Sequence, residues 1–367
     1  MKSFVMSLCV SALLIGFTPL VAASGPGLFL APPSATPPST STPPPSTTPT
    51  TTPSQDSEAA RPSLYYGIHV PGQVGNYTAV MQAEEDAGKK ASIVMLYQGW
   101  AMAHGAENFE PVWMDNIRND GAIPMVTWEP WDYLGGVNQP AYSLSSIMSG
   151  AHDSYITRYA LDAKAWGHPF LLRFAHEMNG DWYPWNEGLN GNTPGQYVQA
   201  WRHVHDIFTA NGVTNATWVW SPNIEYGGSI PLSGLYPGDA YIDWVAMDGY
   251  NWGATQTWKS WQTFSEVFGP TYSVITALTQ KPLLVGETAS TELTGDKAAW
   301  VTNALTTEIF NYPRIKGFIW FNEDKETDWR IESSPAAQAA FARAVANPVY
   351  ASNNFRDLSD GPILPLG

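Results

Sequence analysis

The chain has 367 residues, a formal net charge of -15, 44% hydrophobic residues and one cysteine. A chain of this length can bury a substantial core, while its acidic balance argues against binding a phosphate backbone. Cys9 falls inside an N-terminal apolar run, so the remainder has no disulfide, catalytic thiol or cysteine-held metal. Lys2, Asp56, Glu58 and Arg61 cancel, so the negative charge belongs to the residues beyond Arg61. The 17 tryptophans are many for any chain. Sugar faces carry C–H groups that stack on aromatic rings, so a carbohydrate ligand is favoured over a charged one, with a Trp-rich core as the plainer alternative.

Met1 and Lys2 precede an apolar segment from Phe4 to Leu20 and small residues at Ala22, Ala23 and Ser24. That order reads as a secretory signal over 1–23, and it implies a secreted protein or one associated with the cell envelope. An uncleaved anchor is the alternative, and no later run is apolar and long enough to span a bilayer. Residues 24–62 form a Pro/Ser/Thr-rich linker, as in "TPPSTSTPPPSTTPTTTP", a composition that favours extended polyproline II over a packed core.

From Leu64 onward, apolar or β-branched runs recur and end in polar or aromatic residues: 64–70, 92–100, 123–131, 170–177, 217–223, 242–251, 282–290 and 315–324. Between them lie segments with helical spacing, such as 154–167, 193–212 and 334–347, the last opening on Ser334 and Pro335 as a helix start does. Eight strands alternating with helices predict an α/β fold, a (β/α)8 TIM barrel, as a single catalytic domain over 63–352 with a C-terminal tail over 353–367. An open doubly wound sheet competes, but no Gly-rich phosphate loop follows the first strand.

Barrel enzymes place reactive residues at the C-terminal ends of their strands. Here those ends supply Glu129 and Asp132, Glu177 and Asp181, Asp248, Glu287, and Glu323 with Asp324, so position alone singles out no pair. Glycoside hydrolysis needs one carboxylic acid to help the leaving oxygen depart and one carboxylate to meet the developing oxocarbenium ion. Glu177 follows His176 and has Arg173 four residues earlier, an arrangement able to position its carboxyl, while Gly286 before Glu287 permits close approach. Trp128, Trp131, Trp182, Tyr183, Trp185, Trp220, Tyr250, Trp252 and Trp320 fall at or past strand ends, either as stacking platforms or as packing. Trp100 closes the second run, and it and His69 are further sugar-site candidates. Glu129 either bonds a sugar hydroxyl or supports its loop, Asp248 reads as structural, and His203 and His205 diverge on a helix rather than converging on a metal.

The segment "RFAHEMNGDWYPW", residues 173–185, resembles the signature of glycoside hydrolase family 26, and the resemblance continues through "DWVAMDGYNW" and "PLLVGETAS" to "GFIWFNED". What it implies is a barrel with an acid/base glutamate on the fourth strand and a nucleophile on the seventh: Glu177 and Glu287. Tyr250 would hydrogen-bond the nucleophile, and His176, Trp182 and Trp320 would shape the sugar sites. The implied reaction is double displacement with retention on β-1,4-mannan. A β-1,3-1,4-glucanase or β-xylanase on the same fold, and a non-catalytic envelope-tethered carbohydrate-binding protein, are the competing readings. No motif calls for a nucleotide, a flavin or a catalytic metal, so no cofactor is expected. The expected partner is a β-linked polysaccharide or oligosaccharide, bound by a monomer, with no nucleic acid, and no membrane unless the signal is an uncleaved anchor.

Overall fold

In the computed structural model, which describes residues 63–72, 76–257, 259–359 and 361–367, the eight apolar runs become eight parallel barrel strands. The signal segment, the linker and Cys9 lie outside the described residues. The strands are β1 (Tyr65–His69), β2 (Ile93–Met102), β3 (Ile123–Asp132), β4 (Phe170–Phe174), β5 (Ala216–Trp220), β6 (Trp244–Asp248), β7 (Leu283–Thr288) and β8 (Ile315–Phe321). Each pairs with the next, and β1 closes the ring by pairing both β2 and β8, with Gly67 opposite Ile93 on one side and Ile319 on the other. The end of β2 also folds back on a short antiparallel strand, Gly105–Ala106.

Helices α1 (Thr78–Ala87), α2 (Pro111–Asp120), α3 (Leu144–Met148), α4 (Asp153–Trp166), α5 (Gln196–Ala210), α6 (Phe264–Leu278), α7 (Lys297–Thr306) and α8 (Pro335–Val345) cover the barrel. Their starts follow local chemistry: Thr263 and Glu266 form a reciprocal capping box on α6, and Ser334 accepts from the Ala337 N–H ahead of Pro335 on α8. The regular alternation breaks once. Between β5 and β6 the chain makes only two 3-10 turns, Leu232–Gly234 and Asp239–Tyr241. Pro222, Gly227, Gly228, Pro231, Gly234, Pro237 and Gly238 crowd this stretch, and each disfavours an α-helix. The result is a long loop over the β4–β6 side of the mouth.

Period-2 alternation sorts each strand between two cores. Inward residues, among them Tyr65, Met95, Met125, Leu171, Val219, Trp244 and Ile319, fill the barrel, while outward ones join the larger layer between sheet and helices. The segment expected as a C-terminal tail belongs to the first of these cores. Ile363 is 4% exposed, its N–H donates to Thr217 Oγ1 at 2.8 Å, and its carbonyl accepts from Trp244 Nε1 at 2.8 Å. Tyr65 donates to the Leu364 carbonyl at 2.7 Å, and the Phe355 ring packs 5.5 Å from the Tyr65 ring. Tyr65 and Trp244 open β1 and β6, so Phe355, Ile363 and Leu364 plug the N-terminal end of the barrel, opposite the mouth. Among the described residues no helix is long and apolar enough to cross a membrane.

The plug should matter to stability. Ile363→Ala removes buried methyl groups from a closed site and is expected to lower the unfolding free energy by about 2–5 kcal/mol, read from denaturant melts. A change near zero would mean the segment is not packed in solution.

Candidate active site

The regular strand β4 stops at Phe174, and the backbone then turns sharply. Ala175 and Glu177 adopt φ of 43° and 51°, the left-handed region that side-chain-bearing residues enter at a cost. The turn is fixed by hydrogen bonds from the Ala175 N–H to the Trp128 carbonyl at 3.0 Å and from the Glu177 N–H to the Ser221 carbonyl at 2.7 Å. The Glu177 carboxyl is thereby set at the mouth, 8% exposed. Asn223 Nδ2 donates to Oε1 at 2.6 Å and Trp182 Nε1 to Oε2 at 2.7 Å, one donor for each oxygen.

Glu287 enters from β7 and takes three donors. Arg173 Nη2 and the Tyr97 hydroxyl both donate to Oε1, and the Tyr250 hydroxyl donates to Oε2 at 2.5 Å. Arg173 is completely buried and forks, its Nη1 donating to Asp248 Oδ2 at 2.9 Å and its Nε to Thr127 Oγ1 at 2.8 Å. Gly286 makes this network possible, because a Cβ there would lie 2.5 Å from Asp248 Oδ1 and 3.1 Å from Ser221 Oγ. The close approach that the sequence suggested at Gly286 is made by Asp248.

Burial and one guanidinium set the ionisation of the groups around it. Burial alone would raise the Glu287 carboxyl, but the charge of Arg173 and the two tyrosine hydrogen bonds hold it down to about 2. Burial first, and the charge of Glu287 second, lift the Glu177 carboxyl to about 7. Neighbouring charge is thus the smaller of the two causes that raise it. Asp248 is pushed well up by burial, against the pull of Arg173. Burial also raises Glu129 to about 8, lowers His69 to about 4, and drives His176 well below its ordinary range. The mouth therefore holds one buried ion pair among mostly neutral groups, with an ionised carboxylate beside a carboxylic acid that titrates near neutrality. That is the division of labour required of a nucleophile and a proton donor.

The structure gathers most of the sequence candidates and disperses some. Glu177, Glu287, His176, Tyr250 and Trp182 converge, with His176 Nε2 4.0 Å from Glu287 Oε1. His69 lies at the rim, its Nδ1 3.0 Å from the Met95 carbonyl and its ring 4.9 Å from Phe321. Trp252 is half-buried, packed edge-on against Trp329 beside Tyr250. Trp320 is a correction: it points outward from β8, donates to the Trp329 carbonyl at 3.1 Å and packs on Phe341 of α8. Trp100 is likewise turned out, against Trp128 and Phe174, and cannot face a ligand in the mouth. Both sit one residue out of phase with the inward set, and the inward aromatic at the end of β8 is Phe321. Arg173 positions Glu287 rather than Glu177 and is too buried to meet substrate. Glu129 is 1% exposed, accepts from Trp131 Nε1 at 3.1 Å within the same strand, and has its Oε1 4.0 Å from His176 Nδ1. His203 pairs with Asp153 on the outer surface, away from the mouth.

Tyr97 and Asn223 escape a motif-based reading. Tyr97 follows Ile93 and Met95 in the inward phase of β2, so alternation alone marks it as a hydroxyl pointing into the mouth. Asn223 had no such signal, since it reaches Glu177 from an irregular loop.

Residues 144–304 match the profile of glycosyl hydrolase family 26. The chain is 41% identical over 286 residues, 76% of its length, to endoglucanase H of Acetivibrio thermocellus, of which the match covers 30%. It is 38% identical over 90 residues, 23% of its length, to mannan endo-1,4-beta-mannosidase A and B of Caldalkalibacillus mannanilyticus, of which 17% is covered. The chain thus spans less than a third of either relative. A solved mannanase structure from Bacillus subtilis shares the fold, with a TM-score of 0.61 at 18% identity over 83% of this chain and 91% of that one.

The Arg173 fork gives a direct test. Arg173→Met strands buried carboxylates without their cation and is expected to cost roughly 3–5 kcal/mol of stability, while the double change with Glu287→Gln costs less than the two single changes added. Denaturant unfolding measures both, and a single-variant cost below about 1 kcal/mol would contradict the assigned network.

Proposed function

The chain belongs to glycosyl hydrolase family 26, and from that premise we propose that it is a secreted, retaining endo-β-glycanase whose two working groups are Glu177 and Glu287. The observation that carries this reading is the pair of buried glutamates at one barrel mouth in unlike settings, Glu287 held by Arg173, Tyr97 and Tyr250 and Glu177 by Asn223 and Trp182, which holds the first carboxyl low and leaves the second raised by burial.

Glu287, ionised and held by three donors, attacks the anomeric carbon. Glu177, protonated below its raised pKa, delivers its proton to the departing glycosidic oxygen. The product is a covalent glycosyl-enzyme. Its formation consumes the charge on Glu287, which removes one of the causes that raised Glu177, so that Glu177 then accepts a proton from water attacking the same carbon. Tyr97, Tyr250 and Arg173 fix the nucleophile's two oxygens and leave it little freedom to rotate. Asn223 and Trp182 do the same for the acid.

Two substrate readings have support. β-1,4-Mannan follows from the several relatives named as mannan endo-1,4-beta-mannosidases, which match 22–48% of the chain. A β-glucan, including the mixed-linkage 1,3-1,4 kind, is favoured by endoglucanase H, because that identity extends over 286 residues. We place glucan first on that extent and mannan second; β-xylan is the weaker third, with one relative named as a β-1,3-xylanase at 23% identity. Secretion rests on the N-terminal signal pattern alone. The retained acid and nucleophile weigh against a purely binding role.

Incubation with barley-type glucan, mannan, galactomannan and xylan, followed by identification of the oligosaccharides, decides the substrate. Release from glucan or mannan is expected, and no release from any of them would leave the binding role standing. Glu287→Ala should abolish turnover while leaving oligosaccharide binding, measured calorimetrically. On the active substrate, kcat/KM should fall as pH rises through about 7, where Glu177 loses its proton, and fall again toward about 2, where Glu287 gains one. Glu177→Gln should lower turnover by roughly 10²–10⁴-fold and remove the upper limb for substrates whose leaving group needs no proton. A pH profile without that upper limb in the unmodified enzyme would count against Glu177 as the acid.

A further inference from the structure

Aromatic rings stand on both sides of the carboxyl pair. Beside Glu287, Tyr250 packs 5.0 Å from Trp329 and 5.8 Å from Phe321. Beside Glu177, the indole that donates to its carboxyl, Trp182, is stacked on Tyr226 at 5.8 Å with an interplanar angle of 25°. Tyr226 comes from the helix-free loop between β5 and β6 and is 38% exposed. An exposed tyrosine is ordinary in itself. What distinguishes this one is a ring held nearly parallel to a second ring that touches the proposed acid, on backbone tied down on both sides.

The ties are specific. Asn223, three residues before Tyr226, donates to Glu177, and the Glu225 N–H donates to Thr271 Oγ1 at 2.8 Å. The Ile230 N–H donates to the Asn179 carbonyl at 3.0 Å. Between these anchors, Tyr226 and Ser229 close a turn through Tyr226 N–H to Ser229 Oγ at 3.2 Å and Ser229 N–H to the Tyr226 carbonyl at 3.0 Å, with Gly228 at φ 107°. The phenol lies in the field of the acid as well: after burial, the charges of Asp181 and Glu177 push it up to about 12.

In double displacement the nucleophile lies beneath the sugar that stays, whereas the acid stands beside the oxygen of the sugar that leaves. A ring pair fastened to the acid therefore faces the departing part of the chain. We propose that Tyr226 is a substrate-specificity residue on the leaving-group side, which with Trp182 offers a flat platform to the hexopyranosyl units beyond the cleaved bond. This rests on the reading of Glu177 as the acid. A platform on the leaving side is what an endo-acting enzyme requires, since the chain continues beyond the cleaved bond. It carries no part of the bond-breaking step.

The full chain and its Tyr226→Ala, Tyr226→Phe and Tyr226→Trp variants are to be compared on whichever polysaccharide the unmodified enzyme cleaves, and on a disaccharide β-glycosyl fluoride of the same sugar, whose leaving group fills no sugar site. Tyr226→Ala is expected to raise KM on the polymer roughly 5–10-fold with kcat little changed, the size of a lost stacking contact. On an oligosaccharide labelled at its reducing end, the same variant should move the cleaved bond so that fewer sugars occupy the leaving side. Fluoride release should stay at the unmodified rate, and Tyr226→Phe and Tyr226→Trp should restore polymer KM. An unchanged polymer KM and cleavage pattern in Tyr226→Ala would overturn the assignment, as would a parallel loss of fluoride hydrolysis, which would mark a loop needed for the chemistry itself. If the unmodified enzyme cleaves neither polymer nor fluoride, the reading of Glu177 and Glu287 fails, and the platform falls with it.

Discussion

The fork of Arg173 between Glu287 and Asp248 is the interaction on which the mouth depends. One positive charge, fully out of water, can stabilise one negative charge well. Glu287 also receives two phenolic hydrogen bonds, and it takes the ionised state. Asp248, Glu177 and Glu129 are all pushed upward by burial with too little compensation. Burial, opposed strongly at Glu287 and weakly elsewhere, thus drives the carboxyl groups at the mouth apart, Glu287 down and the others up. Bringing Asp248 against the guanidinium requires the absent side chain of Gly286, so the network ties three strands, β4, β6 and β7, to one charge.

The rest of the barrel holds that network still. At one end, Phe355, Ile363 and Leu364 pack on the inward rings of Tyr65 and Trp244, which are both buried. At the other, the backbone just past β4 takes left-handed conformations at Ala175 and Glu177, and its hydrogen bonds to Trp128 and Ser221 maintain them. Strain of this kind persists only where neighbours over-determine it. The long loop after β5 contributes through its lack of a helix: freed from helical spacing, it sends Asn223 to Glu177 and Tyr226 to the indole beside it.

Legibility differed by residue, for physical reasons. The eight strands were readable because β-branched and aromatic runs bounded by polar residues have little alternative in a chain of this size, and some of the helices after them, α6 and α8 among them, carry side-chain caps. Glu177, Glu287 and Tyr250 stood in motifs at strand ends. Trp100 and Trp320 stood at strand ends too, but one position out of phase, and a single step along a strand reverses the face a side chain presents. Arg173 was legible as a positioning group but not its target, because sequence proximity to Glu177 suggested a contact that spatial proximity gives to Glu287.

The sequence by itself determined the barrel and the strand ends at which chemistry could occur, since periodicity and residue type are local properties, while Glu177 and Glu287 stood out from the other strand-end carboxyls only through the resemblance of their motifs. Only the tertiary structure set the two carboxyls apart in ionisation, packed Phe355, Ile363 and Leu364 on the N-terminal end of the barrel, and brought Tyr97, Asn223 and Tyr226 to the site. Ionisation depends on burial and on the nearest opposite charge, and both are fixed by residues far apart in the chain, such as Arg173 and Glu287.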